Sequence, residues 1–149
     1  MSLPLDLRRA RLEEIVGLRH VMLRQGLPLE SAIFPGDELP DSRHYGAFHA
    51  AGTVGCATLH VSQWDAELAW QLRGMAVAQH LLGQGVGKAI LSFLEDDLQA
   101  ATPVGLLWCN ARVPASAFYQ KQGWEIRSAP FDIPTAGPHL KMTKRIARR

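Results

Sequence analysis

Three glycines occupy alternate positions, Gly83, Gly85 and Gly87, directly before a lysine and an apolar run with helical spacing. Glycine allows the backbone to approach a ligand closely, and the free N–H groups of a helix's first turn favour an anion. The pattern therefore predicts a turn that binds a phosphorylated ligand at the start of a helix. The alternative is a tight strand-to-helix turn in which the glycines serve packing alone.

The residues around these glycines exclude two familiar nucleotide-binding loops. A nucleoside-triphosphate loop ending at this Gly-Lys pair requires a glycine where the chain has Leu82 and a hydroxyl where it has Ala89. A dinucleotide fingerprint requires a further glycine where the chain has Lys88 or Ile90, according to which glycine comes first. If the turn binds a phosphorylated ligand, that ligand is therefore of another kind, and a turn in which the glycines serve packing alone stays an alternative.

A second group of informative residues lies one predicted helix and one predicted strand downstream. The aromatic pair Phe118 and Tyr119 is followed by Gly123 and Trp124. Together with the turn LGQGVG, residues 82–87, and the apolar run VGLLWC, these residues resemble the GNAT family of N-acetyltransferases. The resemblance extends from about residue 70 to residue 124, and both signatures stand in the family's order.

Two positions depart from the pattern of that family. Leu82 stands where the family often has arginine or glutamine, so we expect a weaker grip on a pyrophosphate that backbone N–H groups still bind. The family's frequent asparagine, about seven residues before the tyrosine, is replaced by Arg112 or Val113. Asn110 lies slightly earlier, and the sequence leaves open whether it takes over that contact.

The resemblance implies that the phosphorylated ligand is acetyl-coenzyme A (acetyl-CoA). Its pyrophosphate is expected on the N–H groups of residues 82–88, and its pantetheine arm between two splayed strands, 73–77 and 106–110. Lys88 either adds charge toward the phosphates or is simply solvated. The cofactor-binding residues implied in this way are Met75, Ala76, Val77, Leu82, Gly83, Gln84, Gly85, Val86, Gly87, Lys88, Asn110 and Tyr119.

The resemblance also implies a reaction, the direct attack of a primary amine of a small molecule or protein on the acetyl thioester. Tyr119 is then the general acid for the leaving thiolate, since a thiol titrates near roughly 8.5 and a tyrosine near roughly 10. His139 is the candidate base because imidazole titrates near neutrality, and Glu67 and Asp132 are alternatives. The rival functions are a non-catalytic acyl-CoA-binding or sensor domain on the same fold and a nucleotide-dependent enzyme.

Hydrophobic periodicity and turn residues predict the elements that must position these groups. Residues 26–42 contain several prolines and are too long for a simple connector, so we predict that they form a wall on the substrate side. The second to fourth predicted strands are joined by short turns and form a meander. The predicted helices are 11–25, 86–101 and 114–122, and the predicted strands are 5–9, 45–49, 53–61, 68–77, 104–109, 124–127 and 139–144.

These elements predict a single domain of the α/β (α+β) class over residues 1–149. The GNAT-like fold implied by the resemblance has a mixed, mostly antiparallel sheet of about six to seven strands flanked by helices. Its two central strands are splayed to hold the cofactor. The cofactor-binding core is expected at about 68–127, and the substrate-side elements at about 11–45 and 128–141.

The composition is that of a soluble globular protein, with 47% hydrophobic and 20% charged residues in 149. The net charge of +2 is too small to indicate nucleic-acid binding. No apolar run is long enough to form a membrane-spanning helix, and the first residues lack the apolar core of a signal peptide. A cytoplasmic location is therefore expected. We predict that Cys56 and Cys109 are core residues and that the basic end, 144–149, is solvated. No metal site is expected from the histidine spacing, and a homodimer is a family-level expectation.

The sequence does not specify the acceptor. Arg19 lies on the apolar stripe of the first helix, either as a surface arginine with a buried stem or as a charge at the edge of a cleft. The mixture of Arg19, Arg43, His44 and Arg73 with Asp37 is compatible with an anionic or a cationic substrate.

Overall fold

One eight-stranded sheet organises the protein in a computed structural model that describes residues 4–50 and 52–146. Three α-helices accompany the sheet in these ranges, and none of them is long and apolar enough to cross a membrane. The elements are β1 (Asp6–Arg9), α1 (Leu12–Leu23), β2 (Arg43–His49), β3 (Gly52–Trp64), β4 (Glu67–Val77), α2 (Val86–Ala101), β5 (Leu106–Arg112), α3 (Ser116–Lys121), β6 (Glu125–Ile126), β7 (Phe131–Ile133) and β8 (Gly137–Arg145).

Antiparallel pairing dominates the sheet. Its strands lie in the order β1-β2-β3-β4-β5-β8-β6, and β7 also pairs with β8. Among the described strands, only β4 and β5 pair in parallel, and α2 provides the crossover that a parallel pair requires. This topology confirms the predicted fold class and the predicted meander, which is β2-β3-β4.

The helix α2 is held against the sheet by the apolar stripe that the sequence predicted. Val86, Ile90, Leu94 and Leu98 are all buried, because residues at this spacing share one helix face. The helix ends at Ala101, shortly before Pro103, whose ring cannot continue a helix. Packing of this face fixes the first turn of α2 next to the end of β4.

The strand β7 corrects the expected number of strands from about six or seven to eight. It forms in a stretch predicted as a loop and pairs with residues 137–139 of β8. The turn between them uses positive φ angles at Thr135 and Gly137, while Pro130 and Pro134 flank the strand without interrupting it. The prolines led to the prediction of a loop where the chain forms a short hairpin.

The sequence predicted a solvated basic end, and the structure corrects this prediction. β8 continues to Arg145, and Ile146 is buried. The Lys144 ammonium lies 2.9 Å from a carboxylate oxygen of Glu95, and the Arg145 guanidinium donates to the Glu67 carboxylate at 2.7 Å. Adjacent residues of a strand point to opposite faces, so Lys144 and Arg145 reach different partners. Residues 147–149 lie outside the described residues.

The strands β4 and β5 separate where the sequence predicted a splay. They pair only over residues 70–72 and 107–109, so the edge of β4 that faces β5 has no strand partner over residues 73–77. Here β4 carries two residues, Gly74 and Met75, opposite the single Ala57 of β3. A bulge of this kind bends and twists its strand. Gly74 has a φ of 65°, the left-handed conformation that this bulge requires. The splay therefore begins directly after Leu72.

Candidate active site

A cavity lies between the glycine turn, the end of β4 and α3, and we name it the glycine-turn cavity. The turn reaches it from one side and the splayed end of β4 from another. The fold thereby brings together most of the residues predicted to bind a cofactor. Those that line the cavity are Met75, Ala76, Val77, Leu82, Gly83, Gly85, Val86, Gly87, Lys88 and Tyr119.

Two predicted cofactor residues do not line this cavity. Gln84 is exposed, and its amide group lies 3.5 Å from the carbonyl oxygen of His80. Asn110 lies in the neighbouring cavity described below, where its Oδ1 accepts a hydrogen bond from the Lys141 ammonium at 3.2 Å. Side-chain contact with a ligand in the glycine-turn cavity is therefore not expected from either residue.

The glycine-turn cavity also has walls that the sequence prediction missed, from Leu81, Ala115, Phe118 and Gln122. Phe118 belongs to the aromatic pair that carried the family resemblance, so its signal was present in the sequence. A Cβ added at Gly87 would lie 3.1 Å from the Phe118 ring and 3.3 Å from the Met75 methyl group. Packing thus accounts for this third glycine.

The other two glycines set the backbone of the turn. Gly83 and Gly85 have φ angles of 78° and 85°, and Gly85 precedes the first residue of α2 without a side-chain cap. The backbone N–H groups of Gly83 and of residues 85–88 donate to no other residue within 4–50 and 52–146. A helix N-terminus with free donors carries a partial positive charge, so this turn can bind an anion through its backbone.

Tyr119 is buried in α3, and its hydroxyl makes no hydrogen bond to any described residue. Its ring packs edge-on against Phe118 and Trp124, with centroid distances of 5.2 and 5.5 Å. Burial, with a smaller effect from Cys109, raises the pKa of the Tyr119 phenol above its usual value. The phenol therefore stays protonated near neutral pH and is available as a hydrogen-bond or proton donor.

A second cavity of about 210 Å³ opens where β4 and β5 separate, and we name it the arginine cavity. It shares Met75, Ala115 and Tyr119 with the glycine-turn cavity, so the two cavities meet at the Tyr119 side chain. Its remaining walls come from α1, the loop after it, β5 and the β7–β8 hairpin. Among the residues that line it are Arg24, Phe34, Arg73, Asn110, Arg112 and His139.

The candidate base His139 lines the arginine cavity and is largely buried. Its Nδ1 lies 2.7 Å from the carbonyl oxygen of Gly137. Because a carbonyl only accepts, Nδ1 carries the proton, and Nε2 of the neutral ring is left with a free lone pair. The geometry therefore allows His139 to accept a proton.

The two alternative bases lie outside both cavities. Glu67 is at the start of β4, far along the strand from the splay, and both its carboxylate oxygens accept hydrogen bonds from Arg145 at 2.7 Å. Asp132 is an exposed residue of β7. The structure does not bring either carboxylate to Tyr119.

Arg19 is neither a surface residue nor part of the lining of either cavity, which corrects both interpretations of its position. It is completely buried, and its guanidinium donates to Asp37 Oδ2 at 2.5 Å and to Thr58 at 2.7 Å. His60 Nε2 lies 2.8 Å from the other Asp37 oxygen. Burial alone raises the pKa of Asp37, but the hydrogen bonds from His60 and Arg19 outweigh it and hold this pKa at about 2.

Both cysteines are buried core residues, as the sequence predicted. Burial raises the pKa of each thiol to about 12. Both are therefore neutral thiols near neutral pH and are poor nucleophiles.

Comparison with known proteins gives an independent view of this fold. Residues 40–126 match the family model of the acetyltransferase (GNAT) domain. YitI of Bacillus subtilis (strain 168), an uncharacterized N-acetyltransferase, is 30% identical over 143 residues, which are 94% of this chain and 95% of that protein.

Solved structures share the fold at low sequence identity. Escherichia coli ElaA superposes with a TM-score of 0.79 and 19% identity, over 95% of this chain and 100% of that one. An aminoglycoside 6'-N-acetyltransferase complexed with coenzyme A superposes with a TM-score of 0.76 and 14% identity, over 97% and 98% of the two chains. The family match and the relative of similar length together show that this chain belongs to the GNAT family of acetyltransferases.

Proposed function

We propose that the protein transfers an acetyl group from acetyl-CoA to a primary amine, with Tyr119 as the general acid. One observation carries this proposal most directly. The unpaired Tyr119 hydroxyl belongs to a residue that lines both cavities, so a donor in one cavity and an acceptor in the other would meet at it. The proposal concerns one domain, with the cofactor-binding core at about 68–127.

The glycine-turn cavity has the features that acetyl-CoA requires. The free N–H groups of residues 85–88 suit the pyrophosphate, and the exposed Lys88 adds a cation at the same end of the cavity. The unpaired edge of β4, residues 73–77, offers main-chain groups that pair with the pantetheine amides in the manner of an added strand. The largely apolar walls suit the alkyl groups of the arm.

Acetyl-CoA supplies an acetyl thioester at the point where the two cavities meet. In the proposed reaction the neutral amine forms a bond to the thioester carbonyl carbon, and the carbon–sulfur bond breaks. Tyr119 donates its phenolic proton to the departing sulfur. The proton that the amine loses passes to His139 or to water, and the Tyr119 phenolate regains a proton from the same source, so the protons balance.

The test replaces Tyr119 with phenylalanine, which removes the hydroxyl and keeps the ring. We expect the rate of acetyl transfer to fall by roughly 10²–10⁴-fold, the range for a lost general acid, while coenzyme A binding measured by calorimetry changes little. Tyr45→Phe is the matched control, because Tyr45 is the protein's only other tyrosine and lines neither cavity.

The outcomes separate the enzyme from the sensor domain. An unchanged transfer rate in Tyr119→Phe would contradict the assigned role of the hydroxyl. Tight coenzyme A binding, together with no thiol release from acetyl-CoA in the presence of any amine tried, would favour a non-catalytic acyl-CoA-binding domain.

A further inference from the structure

The arginine cavity carries an unbalanced positive charge. Arg24, Arg73 and Arg112 line it, and no aspartate or glutamate lines it in the part of the chain that the structure describes. A simple amine is itself a cation before it loses its proton, so this lining repels a polyamine or an alkylamine. The cavity is therefore suited to a molecule with negative charge.

The guanidinium groups in this cavity have few partners within the protein. Among the described residues, the Arg24 guanidinium donates only to the carbonyl oxygen of its neighbour Leu23, at 3.0 Å. Arg73 and Arg112 make no ion pair and no side-chain hydrogen bond with a described residue. Arginines that do have carboxylate partners lie outside the cavity; examples are Arg19 with Asp37, Arg43 with Asp97 and Arg145 with Glu67.

An aromatic ring holds two of these arginines in place. The guanidinium carbons of Arg24 and Arg73 lie 4.9 and 4.5 Å from the centroid of Phe34. The backbone N–H of Phe34 donates to Asp37 Oδ2 at 2.6 Å, and that carboxylate is already engaged by Arg19 and His60. Phe34 therefore presents the two arginines on a rigid surface, since cation–π contacts restrict their side chains without neutralising them.

The arginines also repel one another. Burial and the nearby charges of Arg112 and Arg19 lower the pKa of Arg24. Burial lowers the pKa of Arg73, Asp37 raises it, and Arg24 and Arg19 lower it further. Because guanidinium groups keep their charge in proteins, this repulsion persists until an anion enters.

We propose that the acceptor is a small amine that also carries an anionic group, a carboxylate or a phosphate, bound by Arg24, Arg73 and Arg112. The inference rests on the acetyltransferase function proposed above. The planar guanidinium fork matches either group with paired hydrogen bonds. The cavity volume of about 210 Å³ lies below the roughly 300–1,000 Å³ of typical ligand pockets, which favours an acceptor of amino-acid size.

The first arm of the test measures kcat/KM for thiol release with matched pairs of amines. Methionine is compared with methioninamide, phosphoethanolamine with ethanolamine, and putrescine serves as a dication. We expect at least one anionic member to exceed its neutral partner by roughly 10–100-fold, the effect of one or two charge-assisted hydrogen bonds. The two pairs distinguish a carboxylate acceptor from a phosphate acceptor.

The second arm repeats these pairs with Arg73→Gln and Arg112→Gln. We expect the ratio of anionic to neutral kcat/KM to fall by roughly tenfold in each variant, because each loses one charged donor. Arg11→Gln is the control, since Arg11 is exposed at the start of α1 and lines neither cavity. Equal use of anionic and neutral partners, or an unchanged ratio in both cavity variants, overturns the proposal.

A binding arm separates this inference from the function on which it rests. Succinate and inorganic phosphate are titrated calorimetrically into the protein saturated with coenzyme A, beside uncharged succinamide. Binding of an anion that is lost in Arg73→Gln, with no amine acetylated, supports the anion site and counts against the acetyltransferase. Anions that bind no better than succinamide, with anionic amines not preferred, overturn the anion site.

Discussion

The two tyrosines of the chain differ in what their hydroxyls contact. Tyr45 is buried in β2, and its hydroxyl donates to Asp97 at 2.7 Å and accepts from Arg43 at 3.0 Å. Tyr119 is also buried, with 7% of its surface exposed against 1% for Tyr45, but its hydroxyl makes no hydrogen bond to a described residue. The Tyr119 hydroxyl is therefore free to donate to a ligand, whereas the Tyr45 hydroxyl is committed to Asp97.

Leu82 is the residue at which the glycine turn departs from the family pattern. Its side chain is 52% exposed and lines the glycine-turn cavity beside the free N–H groups. We expect Leu82→Arg to tighten coenzyme A binding about threefold to tenfold, because one guanidinium is added beside the phosphates. Calorimetric titration with coenzyme A measures this change.

A neighbouring position supplies the control for that prediction. Gln84→Arg adds the same charge to the same turn, but Gln84 does not line the cavity. Equal gains in both variants would mean that net charge alone, and not the position of Leu82, controls affinity.

The first turn of α2 depends on the backbone conformation of Gly85. Gly85 has a φ of 85°, and no atom lies within 4 Å of the position of an added Cβ. The backbone conformation, and not packing, therefore requires glycine at this position. We expect Gly85→Ala to lower the free energy of unfolding by roughly 1–2 kcal/mol, the cost of a left-handed alanine, and to weaken coenzyme A binding. Denaturant unfolding and calorimetry measure the two effects.

Gly17→Ala is the matched control, because Gly17 lies inside α1 with nothing within 4 Å of an added Cβ. Replacing an ordinary helical glycine with alanine raises the free energy of unfolding by up to about 1 kcal/mol. If Gly85→Ala also stabilised the protein and left coenzyme A binding intact, the backbone conformation described for the turn would be wrong.

The loop between α1 and β2 is joined to three other elements through Asp37. Its carboxylate accepts from Arg19 on α1 and from His60 on β3, and its main-chain carbonyl lies 2.9 Å from Nε2 of His44 on β2. The loop thereby places Phe34 beside the arginine cavity. Replacing Asp37 with asparagine leaves Arg19 buried without a counter-charge, which costs roughly 3–5 kcal/mol.

The ionisation of Asp37 predicts how stability depends on pH. Its pKa falls from 3.8 to about 2 on folding, so the folded state favours the carboxylate. The resulting stabilisation, about 2 kcal/mol, is present above pH 4 and is lost as the pH falls from about 4 to 2. We expect urea unfolding to show this loss in the wild type and in Asp41→Asn, an exposed control on the same loop, and not in Asp37→Asn.

At the scale of the whole molecule, ligand binding is expected to stabilise the native state. Acetyl-CoA at about 100 times its Kd adds about 2.7 kcal/mol, which raises Tm by roughly 5–10 °C for a chain of this size. ATP with magnesium is the comparison, since the residues around Gly87 do not match a triphosphate loop. Scanning calorimetry that found equal shifts for both ligands would contradict coenzyme A specificity.

The sequence alone was sufficient for the order of the elements, the meander, and the residues of the glycine turn. These features depend on local physics: apolar periodicity sets helices and strands, and glycine spacing sets a turn of left-handed backbone. The same local rules missed β7, because its hairpin depends on pairing with β8 across a proline-rich stretch. They also misjudged the basic end, whose charges find partners on distant elements.

Folding determines which charged side chains lack a partner of opposite charge. From the sequence, Arg19, Arg73 and Asp37 were equivalent evidence for a mixed site. Folding buries Arg19 against Asp37 and removes both from the arginine cavity. It leaves Arg73 on Phe34 in that cavity, without a carboxylate partner among the described residues. Charge pairing depends on distances between residues that are far apart in the chain, so spacing along the sequence carries no record of it.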